Sequence, residues 1–250
     1  MIYSLFYEFC LIITRILGLF VPKIKKFLNS RNRISSDILH FNNSKNNFII
    51  WFHCSSMGEF EQIKPLLKRI KKSKPITEFV ITFFSESGFS SAKKFSDAKV
   101  ITYLPFDRKK ELNHFINKIK PNTLLLVKNE FWPNLIKCVH QADIKIFSIS
   151  STFRKSQLFF NFFSFGMLSV LKKINYFLVV NENDKLLLKT LNISNVEVTG
   201  DTRFDRVLEN YNSYTNDKTI TKFLKNSNNF IIGSGWMEDY KILLSCCNNN

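Results

Sequence analysis

From residue 48 onward, short apolar runs alternate with longer stretches of helical periodicity, and this alternation constrains the fold more than any other feature. The apolar runs predict strands at 48–52, 78–84, 99–103, 123–127, 144–149, 176–180 and 195–198. The stretches between them predict helices at 60–72, 88–96, 108–118, 133–141, 155–173, 183–191 and 203–209. Strands alternating with helices imply right-handed βαβ units and an α/β domain with a helix-flanked parallel sheet. Such sheets bind ligands where the carboxyl ends of strands meet the following turns. The residues of those turns are therefore the first candidates for function.

The first turn is His53-Cys54-Ser55-Ser56-Met57-Gly58-Glu59-Phe60-Glu61, between the run 48–52 and a helical stretch with Ile63, Leu66, Leu67 and Ile70 on one face. Ser55 and Ser56 suit a helix cap, and Gly58 lets a ligand or backbone approach closely. Glu59 falls in the first helical turn, where the helix dipole favours a carboxylate. Ser56 and Glu59 also have capping-box spacing, so a purely structural role is open at this point. The second turn, Lys128-Asn129-Glu130-Phe131-Trp132-Pro133-Asn134, follows the run Leu124–Val127. Pro133 suits the first helical position, which leaves Glu130 in the loop before the helix. The bland alternative is a surface Glu130 paired with Lys128. The third turn, Gly200-Asp201-Thr202-Arg203-Phe204-Asp205, follows Val196–Val198. The Arg203 guanidinium suits a carboxylate or phosphate, or else pairs with Asp205 or Glu209, and Thr202 and Asp205 read as turn and cap residues.

Glycine-rich nucleotide signatures are absent from the sequence: there is no G-x-G-x-x-G, no P-loop and no G-x-S-x-G elbow. The five cysteines show neither zinc spacing nor a secreted framework, and Cys54 reads as a small strand-end residue. The formal net charge of +16 points to an anionic partner. No RNA- or DNA-binding pattern accompanies it, so nucleic acid is not expected.

Residues 2–21 are mostly apolar over about the length of a bilayer, yet Ser4, Glu8, Arg15 and Gly18 share one narrow helical face. A single polar stripe favours a helix lying in a membrane interface over one crossing it. Lys23, Lys25, Lys26, Arg31 and Arg33 follow as a basic cluster that keeps this side cytoplasmic. Four segments are expected: an anchoring helix at 1–21, a basic juxtamembrane linker at 22–47, a Rossmann-like domain at 48–209, and a linker with the start of a second domain at 210–250. Within the last, Asn229–Trp236 reads as a strand and turn opening a new βα unit. The Phe-rich stretch 158–165 reads either as part of a buried helix or as a lipid-facing patch.

All three turns resemble the signatures of one family. His53-Cys54-Ser55-Ser56-Met57-Gly58-Glu59 is similar to the His-x-x-Ser-x-Gly-Glu motif of the Kdo (3-deoxy-D-manno-octulosonic acid) transferases, Glu130-Phe131-Trp132-Pro133-Asn134 to their Glu-x-Trp-Pro-Asn, and Gly200–Asp205 to their Gly-(Asn/Ser)-x-(Lys/Arg)-Phe-Asp. The resemblance implies a GT-B glycosyltransferase that moves Kdo from CMP-Kdo to the lipid A precursor at the cytoplasmic face of the bacterial inner membrane. It implies Glu59 as general base, Glu130 and Arg203 as groups acting on the transition state, and Ser55, Ser56 and Gly58 as substrate contacts. It implies no cofactor and no required metal, with inversion by direct attack of the acceptor oxygen. The family pattern continues past residue 250 into a second Rossmann-like domain that holds the donor nucleotide, so roughly the first 60% of the pattern is covered. That leaves two expectations: an enzyme whose donor domain lies elsewhere, on a separate chain for instance, or a membrane-bound module that binds the acceptor lipid without transfer.

Overall fold

The computed structural model describes residues 2–41, 47–157, 166–213, 218–225 and 229–248. The chain divides into two compact units, Met1–Glu209 and Asn210–Asn250.

The first unit begins with three helices: α1 (Ile2–Phe20), α2 (Pro22–Ser30) and, after a 3-10 turn at Arg31–Arg33, α3 (Ile34–Leu39). The expected linker 22–47 is instead mostly helical. Ile34 and Ile38 of α3 and the following Phe41 are buried in the main core, which ties the stretch into the domain. Arg31, expected in a basic surface cluster, is buried as well. Its guanidinium lies 3.8 Å from the Phe27 ring centre and near the rings of Phe84, Tyr103 and Phe106, and it donates to the Phe84 carbonyl at 2.6 Å. Burial lowers its pKa to about 10, so it remains cationic at neutral pH. The aromatic faces and carbonyls compensate the lost water. Lys23, Lys25 and Lys26 stay exposed. Of the neighbouring Asn-rich stretch, 42–46 lies outside the described residues.

All seven expected strands are present: β1 (Ile49–Cys54), β2 (Glu78–Phe83), β3 (Ala98–Tyr103), β4 (Thr123–Val127), β5 (Lys145–Ser151), β6 (Tyr176–Val179) and β7 (Val196–Val198). They form one parallel sheet of order β3-β2-β1-β4-β5-β6-β7. Helices connect them: α4 (Met57–Ser73), α5 (Glu86–Ala92), α6 (Lys109–Ile119), α7 (Pro133–Gln141), α8 (Met167–Leu171) and α9 (Glu182–Thr190), with α10 (Thr202–Asn212) after β7. The central strands are buried on both faces, as their continuous apolar sequences require. The expected helix 155–173 is helical only at Met167–Leu171 among the described residues, and the Phe-rich stretch 158–165 lies outside them.

The order of the strands locates the site. The chain adds β2 and β3 on one side of β1, then returns to place β4 on the other. Ligands of open α/β sheets bind at such a reversal, outside the carboxyl ends of the two strands. Here those strands are β1, which leads to Glu59, and β4, which leads to Glu130. Gly88 keeps this edge compact: a Cβ there would lie 2.5 Å from the Phe83 ring and 3.1 Å from the Ser56 backbone, so only glycine lets α5 seat against the Ser56 turn.

In the second unit, α11 (Lys218–Leu224) and α12 (Met237–Asn248) are helical, but the expected strand after Asn229 does not form. A strand needs a partner ladder, and none faces this run among the described residues. The Asp239 carboxylate accepts from the Trp236 N–H at 2.8 Å and caps α12.

Candidate functional site

The turn after β1 is built as a helix cap. The Ser56 hydroxyl accepts from the Glu59 N–H at 3.4 Å, and the Glu59 carboxylate reaches back to the Ser55 N–H. This resembles a capping box, although the carboxylate takes the amide one residue before the cap. The bond uses Glu59 Oε2 and leaves Oε1 free to take a proton. Glu59 is only 8% exposed. Burial raises its pKa, the Ser55 amide works against the rise, and the charge of Glu130 adds to it. A Cβ on Gly58 would meet nothing closer than the Ser56 hydroxyl at 3.9 Å, so the space over this exposed turn is open to a ligand.

Glu130 lies across the strand reversal. The Trp132 indole donates to its Oε2 at 3.0 Å, and the Ser55 side chain lies close enough to favour its ionised form. His53 Nε2, from β1, sits 3.6 Å from the same oxygen. Burial alone would raise the pKa of Glu130, but His53, Trp132 and Ser55 outweigh it and hold the carboxyl below its usual range. Lys128 and Glu130, the alternative surface pair, form no ion pair among the described residues. The Lys128 charge instead stabilises the ionised forms of Glu59 and Asp201. Its backbone is left-handed at φ 59°, in a loop whose Lys128 N–H donates to the Ile149 carbonyl. The structure thus brings together Ser55, Ser56, Gly58, Glu59 and Glu130.

Arg203 sits on the turn after β7. Its guanidinium pairs with Asp201, not with Asp205 or Glu209, at 2.6 Å, and the Asp201 carboxylate also accepts from the Arg203 N–H. The cap at this turn is thus Asp201, while Thr202 bonds the Ser150 hydroxyl and Asp205 pairs with Arg69. The Arg203 side chain is 64% exposed, so its charge faces solvent at the strand ends.

Several contacts of the site escape a motif reading. His53 opens the first motif, but its position at the end of an apolar strand gives no sign of its partners. Asp107, in the loop before α6, holds the Glu130 loop from a distance. Its carboxylate accepts from the N–H groups of Asn134 and Leu135, at 3.0 and 2.7 Å, at the start of α7. The Asn134 amide donates back to the Asp107 carbonyl at 2.7 Å. Tyr3 and Tyr7 of α1 complete the knot: the Tyr3 hydroxyl lies beside the carboxylate and favours its ionised form, and the Tyr7 hydroxyl accepts from the Asp107 N–H. The only sequence signal was Asn134 at the end of the second motif. Replacing Asp107 by Ala removes the cap of α7 and leaves two buried N–H groups without acceptors. We expect a loss of roughly 2–4 kcal/mol in urea denaturation. A loss below about 0.5 kcal/mol would show that the knot contributes nothing.

The knot also orients α1. Ser4 donates to Asn134 at 3.0 Å, Glu8 pairs with Arg108 at 2.7 Å, and Gly18 packs on Leu28. Most of the polar stripe therefore faces the domain, not water, with Arg15 left exposed. Between α1, α2 and Trp132 lies an open cavity of about 180 Å³, lined by Tyr7, Leu11, Phe27, Phe84, Phe106 and Trp132 among others. No group of three or more His, Cys, Asp or Glu side chains that could hold a metal occurs among the described residues. Cys54 is fully buried, and burial pushes its thiol pKa well up, which leaves it inert.

The strand order and the motif-bearing turns at its reversal fit the N-terminal, Rossmann-like domain of a GT-B fold. In agreement, the UDP-GlcNAc 2-epimerase of Methanocaldococcus jannaschii superposes on 74% of this chain and 54% of its own, with a TM-score of 0.53 at 13% identity. The profile of the family described as 3-deoxy-D-manno-octulosonic-acid transferase (kdotransferase) matches residues 28–206, and the chain belongs to that family. A bifunctional glycosyltransferase/methyltransferase of Fusobacterium nucleatum is 34% identical over 89% of this chain and 35% of its own length. The 3-deoxy-D-manno-octulosonic acid transferase of Rickettsia bellii is 27% identical over 82% of this chain and 49% of its own. The chain thus spans half or less of the length of these relatives.

Proposed function

We propose that the chain supplies the acceptor half of a glycosyltransferase that moves Kdo from CMP-Kdo to a sugar hydroxyl of an anionic lipid A precursor. The observation that carries this reading is the divergence of two neighbouring carboxylates. Glu59 is pushed up and keeps a free oxygen, while Glu130 is held down and stays ionised. Environments that drive two titratable groups apart mark a division of labour between them. Glu59 is the general base that takes the acceptor hydroxyl proton as the oxygen attacks. Glu130 provides fixed negative charge beside the oxocarbenium-like centre, and exposed Arg203 is available to the anionic donor. Ser55, Ser56 and Gly58 form the wall along which the acceptor sugar lies. Donor binding belongs to a second domain, on the same or a separate chain, and the reaction inverts the anomeric centre without a required metal.

We further propose that α1 lies on the cytoplasmic face of the inner membrane. The helix is long and apolar enough to cross a bilayer by length and composition. Its polar side is nevertheless engaged by Asn134, Asp107 and Arg108, so it runs along the domain with Leu5, Phe6, Phe9, Ile12 and Ile16 facing outward. Exposed Lys23, Lys25 and Lys26 would meet anionic headgroups beside it.

The proposal is tested by adding a separately expressed donor domain of a relative to this chain, with CMP-Kdo and a lipid A precursor in detergent micelles. The chain alone should bind the lipid and transfer nothing, and the donor domain should restore transfer. Transfer by residues 1–250 unaided would contradict the division into acceptor and donor halves. A chain that binds no lipid would contradict the acceptor assignment itself.

A further inference from the structure

We propose that His53 is a positioning residue that donates an Nε2–H to Glu130 and so fixes that carboxylate in its ionised form. The inference deepens the role given to Glu130 above and rests on that reading for its catalytic meaning, but the facing of the two side chains stands on geometry.

His53 is fully buried at the carboxyl end of β1. Its Nδ1 lies 3.2 Å from the Thr82 carbonyl oxygen and 3.1 Å from the Thr82 hydroxyl. That hydroxyl also accepts from the Trp51 indole at 2.8 Å and lies 3.4 Å from the Phe52 carbonyl. Two proton arrangements satisfy this cluster. In one, Nδ1–H donates to Thr82 and the hydroxyl proton goes to Phe52. In the other, the hydroxyl donates to Nδ1. The opposite nitrogen decides what both must share. Nε2 is buried, and no other polar group lies within hydrogen-bonding distance of it among the described residues. It faces Glu130 Oε2 at 3.6 Å. A bare Nε2, buried from solvent, would set a nitrogen lone pair against a carboxylate oxygen, which is costly for both groups. With Nδ1 accepting from the hydroxyl, the single hydrogen of the neutral ring sits on Nε2 and removes the conflict; with Nδ1–H donating, a hydrogen on Nε2 as well makes the ring an imidazolium facing the carboxylate. The separation is longer than a closed hydrogen bond, and a shift of a few tenths of an ångström by the Glu130 side chain closes it.

The consequence reaches Glu59. Glu130 is faced by His53 and Cys54 from β1, by Ser55 and Glu59 from the turn and first helical turn of α4, and by Trp132 from its own loop, with Lys128 at the loop's start. Of these, Glu59 is the carboxylate whose proton affinity the charge of Glu130 raises. Holding Glu130 ionised therefore strengthens the base. Without the His53 donor, burial would favour protonated Glu130, and Glu59 would lose that neighbouring charge.

The test uses this chain and needs no turnover, so it is independent of the transferase reading. With ¹⁵N-labelled histidine, two-bond ¹H–¹⁵N spectra at pH 7.5 assign protons to the ring nitrogens of His40, His53, His114 and His140. His53 Nε2 is expected to carry hydrogen, and a bare Nε2 would overturn the proposal whatever the variants do. With ¹³C-labelled glutamate, the Glu130 carboxyl is then titrated in His53→Phe and His53→Gln. The Phe variant removes both nitrogens and should raise the Glu130 midpoint by at least one pH unit, a tenfold gain in proton affinity. Gln restores an N–H donor and should recover part of the shift. An unchanged midpoint in a folded His53→Phe chain would also overturn it, because a merely structural histidine would leave that titration in place. If neither variant folds, the wild-type spectrum decides.

Discussion

Replacing Glu59 by Gln in a full-length, donor-competent protein should lower the transfer rate by roughly 10²–10⁴-fold with acceptor binding retained, the range expected when a general base is removed. Gln keeps the length of the side chain and an oxygen that can accept from the Ser55 N–H, so the turn before α4 should stay folded. The rival view treats Glu59 only as a capping residue, and the geometry makes that view serious, since the Glu59 N–H donates to the Ser56 hydroxyl and its carboxylate accepts from the Ser55 N–H. Ser56→Ala separates the two. It removes the hydroxyl that accepts from the Glu59 N–H and should cost roughly 1 kcal/mol of stability with little loss of rate. Rate and melting temperature measured on both variants form the decisive comparison. A Glu59→Gln enzyme that melts early but turns over normally would reduce Glu59 to a cap. Its pH profile offers an independent check. A base must be ionised to accept a proton, and the pKa of Glu59 is raised, chiefly by burial. The rate should therefore fall as pH drops through a midpoint above the ordinary glutamate value of about 4.3.

The core of this arrangement was legible because it depends on local signals. β1 and β4 are continuous apolar runs, and each is followed by a turn with its own capping chemistry, Ser56 in one and Pro133 in the other. Strand order could not be read locally. Only the pairing of β1 with both β2 and β4 shows that Glu59 and Glu130 flank the reversal. The contacts that tune the site were hidden for the same reason. His53 and Thr82 meet across two strands, and Asp107 meets Asn134 across 27 positions of sequence. The expected linker failed at Arg31, whose charge suggested a surface position. Its cage draws on Phe84, Tyr103 and Phe106, more than 50 residues away in sequence. Charge counts cannot anticipate a guanidinium that finds aromatic faces and backbone carbonyls inside a protein. The run after Asn229 failed in the opposite sense, since apolar content alone cannot supply a neighbouring strand.

Changing Leu5, Phe6, Phe9, Ile12 and Ile16 together to Gln should release the protein from lipid vesicles while leaving its fold intact. All five are more than half exposed, so they contribute little to the core. Insertion into an interface would bury about half of each side chain, worth on the order of 1 kcal/mol apiece, which compounds to a loss of roughly 10³-fold or more in partitioning. Deleting residues 1–33 would be a poorer test. It would also remove Tyr3, Tyr7 and Arg31, and with them the knot around Asp107 and the aromatic cage. The five-residue variant spares those contacts, because the polar side of α1 remains against the domain. Salt separates the two parts of the attraction. Lys23, Lys25 and Lys26 should add a component that appears only on anionic vesicles and weakens as ionic strength rises. The apolar component should persist in high salt for the wild type and vanish in the variant. A variant that still sediments with neutral vesicles in high salt would place the anchor on another surface. The membrane would then no longer be the reason that α1 shows its domain a polar face and the outside an apolar one.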